Sequence, residues 1–334
     1  MKMKKIMKLG AICLTAVMVL AGCGKSTGTN VEAKGEAEKT YKIGVTQIVE
    51  HPALDAAREG FVEGLKEAGF DSNVEFVNEN AQGEMATAQI IAQSFVESDV
   101  DMIYAIATPT AQAAFNATKE IPIMISAVTD PVAAGLTKSL EKPETNVSGT
   151  SDEAPVDLQL QLLGELGIKP QTIGFIYNTS EKNSEVQLEV LKKETDKLGW
   201  KVEALGITSL TEIEQGIDVL LDKVDVLYAP TDNMVASAIQ LVASKAIAKK
   251  IPVLAGEPGM VEGGALATCG VDYFALGKQT GFMAAKVLKG EDISVMSVEK
   301  AENPEITINK ATADALGIVI SETLNQKSNI IGVK

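Results

Sequence analysis

The sequence predicts an α/β protein built of two doubly wound parallel-sheet lobes joined by a three-segment hinge, and three observations carry that expectation. Residues 101–113 (DMIYAIATPTAQA) are echoed by residues 225–237 (DVLYAPTDNMVAS): an acid, an apolar run with Tyr at the same place, a polar loop and an Ala-rich helical start. The echo extends outward, Ile43-Gly44-Val45 matching Ile173-Gly174-Phe175, and Ile121-Pro122-Ile123-Met124 matching Ile251-Pro252-Val253-Leu254. The offset is the same at both flanks and slightly shorter in the middle, which makes the repeating unit a domain, far longer than a solenoid repeat. Apolar strand-like runs alternate with amphipathic helical ones, the pattern of a parallel sheet covered on both faces.

In chain order, strands are predicted over 41–48, 73–78, 102–107 and 121–128, with helices over 53–68, 84–97 and 110–119 between them. The first helix shows Ala53, Ala56, Ala57, Phe61, Leu65 and Ala68 at helical spacing, and Gly69 stops it. The second lobe repeats this with strands over 172–177, 201–206, 224–229 and 251–255 and helices over 182–198, 210–221 and 233–249. A strand over 265–271, a helix over 273–288, a late strand over 305–308 and a short helix over 310–316 exceed what the second lobe needs. The economical arrangement has the chain cross between lobes near 149–152, near Asp272 and near 301–304. The lobes are then 41–150 plus 273–300 and 151–272 plus 301–334, and three crossings allow bending while resisting twist.

The start of the chain, 1–22, stands apart. Lys2, Lys4, Lys5 and Lys8 precede an apolar run over 9–21, too short to span a membrane and typical of an export signal. Its ending, Leu20-Ala21-Gly22-Cys23, resembles the lipobox of bacterial lipoproteins, which implies removal of 1–22 and lipid attachment at Cys23. Residues 23–40, rich in Gly, Ser, Thr, Lys and Glu, cannot pack a core and read as a flexible tether. Removing 1–22 takes four lysines and no acid from 30 basic and 45 acidic residues, leaving a formal charge of −19. That charge repels nucleic acid and anionic lipid headgroups. Cys269 is the single cysteine left after processing, so no internal disulfide forms, and its apolar setting marks it as a core residue.

Enzyme signatures are missing from the sequence. With one histidine, His51, there is no His-based metal cluster and no HExxH; GxGxxG, P-loop, GxSxG and CxxC motifs are absent, and Gly277-Lys278-Gln279-Thr280 fails the P-loop pattern. His51, before Pro52 at the first strand-to-helix turn, suits a cleft contact better than catalysis. No cofactor or metal is expected.

What remains is a ring of loops at strand C-terminal ends, where open α/β sheets bind ligands against helix N-termini. The first lobe offers Gln47 to Ala53, Thr108-Pro109-Thr110 and Thr129-Asp130-Pro131; the second offers Tyr177 to Ser184 including Asn183, Thr231-Asp232-Asn233, and Glu257. Thr110, Asp130 and Asp232 also stand where helix caps are needed, and capping is their ordinary use. With Arg58 the only arginine, no arginine clamp exists for a phosphate ester or sugar acid. Hydroxyls and helix N–H groups on one lobe suit a carboxylate; Asp232, Glu257 and Asp272 suit an ammonium. The pairing fits an amino acid, with a nucleoside as an alternative solute.

Gly44-Val45-Thr46-Gln47 with His51-Pro52-Ala53-Leu54-Asp55, then Ala107-Thr108-Pro109-Thr110-Ala111, Tyr177-Asn178 with Glu181, Asn183-Ser184 and Gln187, and Pro230-Thr231-Asp232-Asn233 resemble the tryptophan-type ABC transporter substrate-binding lipoproteins, over 41 to about 324. The resemblance implies a type 1 periplasmic-binding fold that closes on an aromatic or other hydrophobic amino acid and delivers it, as a lipid-anchored extracytoplasmic monomer, to a permease with an ATPase partner. It implies that Thr108, Thr110 and Thr129 grip the ligand carboxylate, that Asn183 and Ser184 reach from the opposite lobe, that Asp232 pairs with the ammonium, and that Tyr177 and Pro131 touch the ligand side chain. A sensor feeding a signalling partner is the alternative use of the same shell.

Overall fold

The computed structural model describes residues 39–301 and 303–333. The expected export signal, Cys23 and nearly all of the tether lie outside these residues. The first half of the chain runs β1 (Tyr41–Gln47), α1 (Pro52–Glu67), β2 (Val74–Asn80), α2 (Met85–Glu97), β3 (Met102–Ile106), α3 (Thr108–Ala117), β4 (Ile123–Ser126) and β5 (Val147–Ser151). The second runs α4 (Val156–Glu165), β6 (Thr172–Asn178), α5 (Lys182–Leu198), β7 (Lys201–Ile207), α6 (Leu210–Leu221), β8 (Val226–Ala229), α7 (Asn233–Ser237), α8 (Ile239–Ala248), β9 (Val253–Ala255), α9 (Pro258–Glu262) and β10 (Ala267–Gly270). The chain ends with α10 (Tyr273–Leu288), β11 (Glu299–Lys300), β12 (Glu305–Asn309), α11 (Lys310–Leu316), α12 (Glu322–Gln326) and β13 (Ser328–Ile331).

Two sheets result, ordered β11-β5-β4-β3-β1-β2 and β13-β12-β10-β9-β8-β6-β7. Among the described residues every strand pairing is parallel except β10 with β12, where Gly270 faces Glu305 and Ala267 faces Ile308. The reason is the third crossing: the chain re-enters the second half at the C-terminal end of β10 and can only run back along it. The first half has one apolar core, around Phe61, Phe95 and Tyr104, and the second has two, one around Phe175 and Tyr228 and one under the α6 and α8 faces.

Helices α1 and α10 lie backbone to backbone. A Cβ on Gly60 or Gly64 would stand 2.0 or 2.2 Å from the Phe274 or Lys278 carbonyl oxygen, and one on Gly277 or Gly281 would stand 1.9 or 2.4 Å from those of Ala57 or Phe61. Only glycine fits such an approach. Gly277, which fails as a P-loop residue, thus has a packing role.

The structure adds α9, β11, α12 and β13 to the predicted elements and departs from them in four further places. Strand β5, VSGTS, is fully buried although polar, because its hydroxyls find partners: Thr150 Oγ1 lies 2.8 Å from Thr280 Oγ1, and Ser148 Oγ donates to the Met296 carbonyl at 2.8 Å. Helix α4, which follows it, is a second element that the sequence pattern does not mark. The predicted helix over 233–249 breaks at Ala238 into α7 and α8; Ser237 Oγ donates to the Asn233 carbonyl at 2.8 Å, a back-bond that favours bending. The strand predicted over 121–128 ends at Ser126 because Ala127 takes φ 56°.

Candidate functional site

The C-terminal ends of the two sheets face one another across direct contacts. Thr129 Oγ1 lies 3.3 Å from Thr231 Oγ1, His51 Nε2 lies 3.3 Å from Asn233 Oδ1, and Gln187 Nε2 donates to Thr129 Oγ1 at 3.4 Å. Between the halves is a cavity of about 20 Å³, bordered by His51, Asp152, Thr231, Glu257 and Tyr273 among others, with Leu54 and Met260 as apolar wall. That is room for about one water, against several hundred Å³ for a typical ligand pocket. A solute the size of an amino acid does not fit this space as the halves stand.

On the first half, the loop after β3 is strained and polar. Ala107 is held at φ 82°, ψ 154°, a region nearly reserved for glycine that costs about 1–3 kcal/mol. The turn starts α3 with no side-chain cap, and Thr108 Oγ1 is buried without a hydrogen-bond partner. Unclaimed helix N–H groups beside an unpaired hydroxyl form an anion-binding arrangement. Thr46 Oγ1, near the end of β1, is likewise buried and unpaired.

On the second half, the corresponding helix start is filled by the protein itself. Asp232 caps α7 through Oδ1, which accepts the Val235 N–H at 2.9 Å, while Oδ2 accepts the Asn178 N–H and the Ser184 hydroxyl, both at 2.6 Å. Glu181 accepts from Asn183 Nδ2 at 3.1 Å and from Asn233 Nδ2 at 2.6 Å, and the Asn233 N–H reaches it at 3.2 Å. Burial pushes both carboxyls above the usual range, and for Glu181 the neighbouring Asp232 charge adds to it. Glu257 caps α9, accepting the Gly259 N–H at 2.5 Å, and burial raises it to about 7. Burial also pushes the His51 imidazole below its ordinary value, against the Asn233 hydrogen bond.

The structure brings Thr231, Asp232, Asn233 and Glu257 of the sequence-selected residues to the cavity, along with His51. Thr129 and Asn183 stand beside it, Asn183 Nδ2 donating to the Thr231 carbonyl at 2.9 Å and leaving Oδ1 unpaired. Others have different employment. Thr110 Oγ1 donates to the Ile106 and Ala107 carbonyls at 2.6 and 2.9 Å, inside its own helix turn. Asp232, expected to meet a ligand ammonium, has both oxygens engaged within its own half, and Ser184 serves it. Gln47 Nε2 donates to the Val49 carbonyl and to Asp55. Asp130 accepts the Val132 and Ala133 N–H groups at 3.0 and 2.9 Å, and exposed Asp272 caps α10. Pro131 and half-buried Tyr177 border outer grooves and not the cavity. Sequence reasoning gave no role to Asp152, Glu181 or Tyr273. Glu181 precedes Asn183 by two positions in a loop already singled out; Asp152 follows β5, a strand hydropathy does not reveal.

Among the described residues no group of His, Cys, Asp or Glu could hold a metal ion, and no helix is long and apolar enough to cross a membrane. Comparison with known proteins fits this geometry. The family described as ABC transporter substrate binding protein matches residues 42–330. A curated relative named tyrosine-binding protein, from Clostridioides difficile, is 45% identical over 94% of this chain and 93% of its own. A solved structure from Streptococcus pneumoniae, described as an ABC domain in complex with L-Trp, is 37% identical, covers 88% of this chain and 100% of its own, and superposes with a TM-score of 0.85. A substrate-binding protein with adhesive properties from Clostridium difficile, described as ligand-free and open, is 51% identical over 88% of this chain and 100% of its own, yet its TM-score is 0.69. The chain thus superposes better on the L-Trp complex than on the ligand-free, open structure, although it is more similar in sequence to the latter. A leucine-binding protein from Thermotoga maritima, 15% identical over 75% of this chain and 83% of its own with a TM-score of 0.57, shares the fold. The chain belongs to the ABC transporter substrate-binding protein family, a family of binders and not of enzymes.

Proposed function

We propose that this protein is the extracytoplasmic receptor of an ABC importer for an aromatic amino acid, tyrosine or tryptophan, which it encloses between its two halves and hands to a permease with an ATPase subunit. The moving lobes in this reading are 41–150 plus 273–300 and 151–272 plus 301–334. Export with lipid attachment at Cys23 would hold a monomer at the membrane by the 23–40 tether, and −19 of charge would keep it off anionic headgroups.

The observation that carries this reading is the complementarity of the closing surfaces to a zwitterion. The uncapped start of α3 with Thr108 suits a carboxylate. Buried acids bordering the cavity, with no lysine or arginine among them, suit an ammonium. Asn183 and Thr129 are placed to reach from opposite sides, and Leu54 and Met260 offer apolar surface to a ring. The named relatives, one tyrosine-binding and one solved with L-Trp, support the ligand class. Ligand energy gained only when both halves touch selects the closed arrangement.

A thermal-shift screen of the mature protein against all twenty amino acids and the common nucleosides tests the proposal. Stabilisation by L-tyrosine or L-tryptophan is expected; a response confined to nucleosides, or to no amino acid, would overturn it.

A further inference from the structure

All three crossings between the halves converge on Ser151 and Asp152. Ser151 ends β5 at the first crossing, and its carbonyl accepts the Ala301 N–H at 3.2 Å from the third. Asp152, 3% exposed, accepts through Oδ2 the Tyr273 hydroxyl at 2.6 Å, and Tyr273 opens α10 directly after the second crossing. Its other oxygen, Oδ1, is buried and has no hydrogen-bond partner. Burial pushes this carboxyl above its usual range, and the Tyr273 and Thr129 hydroxyls oppose that rise.

This free oxygen distinguishes Asp152 from the other acids of the site. Asp232 has both oxygens engaged, Glu181 accepts from Asn183 and Asn233 and does not border the cavity, and Glu257 caps α9. The titratable groups bordering the cavity with Asp152 are His51 from the start of α1, Asp232 before α7, Glu257 before α9 and Tyr273 of α10; none supplies a fixed positive charge. A carboxylate buried with one oxygen unpaired is costly unless a cation or a proton meets it.

We propose that Asp152 Oδ1 is the acceptor for the ligand's ammonium group, and that Tyr273 on Oδ2 fixes the carboxylate so that the ammonium is bound at the hinge itself. The inference rests on the amino-acid reading above. It assigns the two ends of the zwitterion to different parts of the fold: the carboxylate to the start of α3, the ammonium to the point where the crossings meet. Tyr273 acts as a positioning residue, since its hydroxyl orients the acceptor without touching the ligand.

The test is calorimetric, on the mature chain. L-Tyrosine or L-tryptophan, whichever binds the wild type more tightly, is compared with the same molecule lacking its amine, 3-(4-hydroxyphenyl)propanoate or 3-(indol-3-yl)propanoate. Asp152→Asn is expected to lose at least about thirtyfold in affinity for the amino acid and little or nothing for the amine-free analogue. Equal losses for both, or no loss for either, would overturn the inference. Where that variant fails to fold, Tyr273→Phe replaces it: without the hydroxyl that orients Asp152, affinity for the amino acid should fall while affinity for the amine-free analogue holds, and an equal change for both, or none for either, would overturn the inference. If the wild type binds no amino acid, the proposed function fails; if it binds one and Asp152→Asn binds it equally well, only the present inference fails.

Discussion

Asp101 and Asp225 begin the two echoed stretches and do the same work in each half. Asp101 accepts the N–H of Lys42 in β1 at 2.8 Å, and Asp225 accepts the N–H of Thr172 in β6 at 2.9 Å, so each acid pins the start of the neighbouring central strand. Three positions on, Tyr104 and Tyr228 are both fully buried, one stacked on Phe61 at 3.8 Å and bonded to the Ala57 carbonyl, the other stacked on Phe175 at 5.6 Å and bonded to Gln159. The copies part at the loop that follows. In the first, a strained Ala107 leads into an uncapped helix; in the second, Asp232 and Glu181 engage the Val235 and Asn233 N–H groups at the helix start. A duplicated fold makes two equivalent anion sites, and here one is occupied by the chain's own carboxylates. In the reading proposed above, that leaves the start of α3 for a ligand carboxylate.

The difference can be attacked from either copy. The largest effect is expected from Asp232→Ala, which strands the Asn178 and Val235 N–H groups and the Ser184 hydroxyl and should cost at least about 3 kcal/mol in urea unfolding. The half-exposed cap Asp130→Ala should cost about 1 kcal/mol by the same measurement. Equal costs would mean that the self-filled start is an ordinary cap.

The buried acids should also make stability depend on pH. The carboxyl of Glu257 rises from an ordinary 4.5 to about 7, so its favourable contribution is full below about pH 4.5 and disappears as pH rises through about 7. The melting temperature should fall between pH 5 and pH 8, by an amount equivalent to roughly 2 kcal/mol, and Glu257→Gln should flatten the profile. A profile unchanged by that substitution would detach Glu257 from the effect.

In the open copy, Thr108→Val should weaken L-tyrosine or L-tryptophan binding about tenfold by calorimetry, while stability holds or rises because an unpaired buried hydroxyl is removed. Unaltered affinity would take Thr108 out of the site. The smallest effect belongs to Ala107→Gly, which relieves the φ 82° strain and should stabilise the fold by up to about 1 kcal/mol in thermal unfolding. A loss of stability there would mean that the turn is not strained.

The duplication is readable because it rests on hydropathy and on residues with strong local preferences, such as Gly69 and Gly199 at helix ends. Strand β5 is not, since Ser148, Thr150 and Ser151 are core residues only by virtue of partners distant in the chain: Met296, Thr280, and Thr129, whose carbonyl accepts the Ser151 hydroxyl at 2.9 Å. Missing β5 leaves Asp152 legible only as part of a crossing near 149–152, without the partners that single out its carboxyl. The loops themselves are legible, but not the division of labour within them. Nothing local to Asp232 reveals that Asn178 and Ser184, far upstream in the chain, already saturate it.

Four glycines fuse α1 to α10, and the fusion has a mechanical meaning. Each helix has 16 residues, a rod of about 24 Å. One rod starts beside His51 at the cleft, the other immediately past the second crossing, and the far end of α10 is tied to β1 where the Tyr41 hydroxyl donates to the Leu288 carbonyl at 3.0 Å. At the four glycines the two backbones touch, and Lys278 Nζ of α10 meets Glu67 Oε1 of α1 at 2.9 Å, so the rods are held together along their length. Over a rod of that length a tilt of about ten degrees at Asp272 would become about 4 Å of travel at its far end.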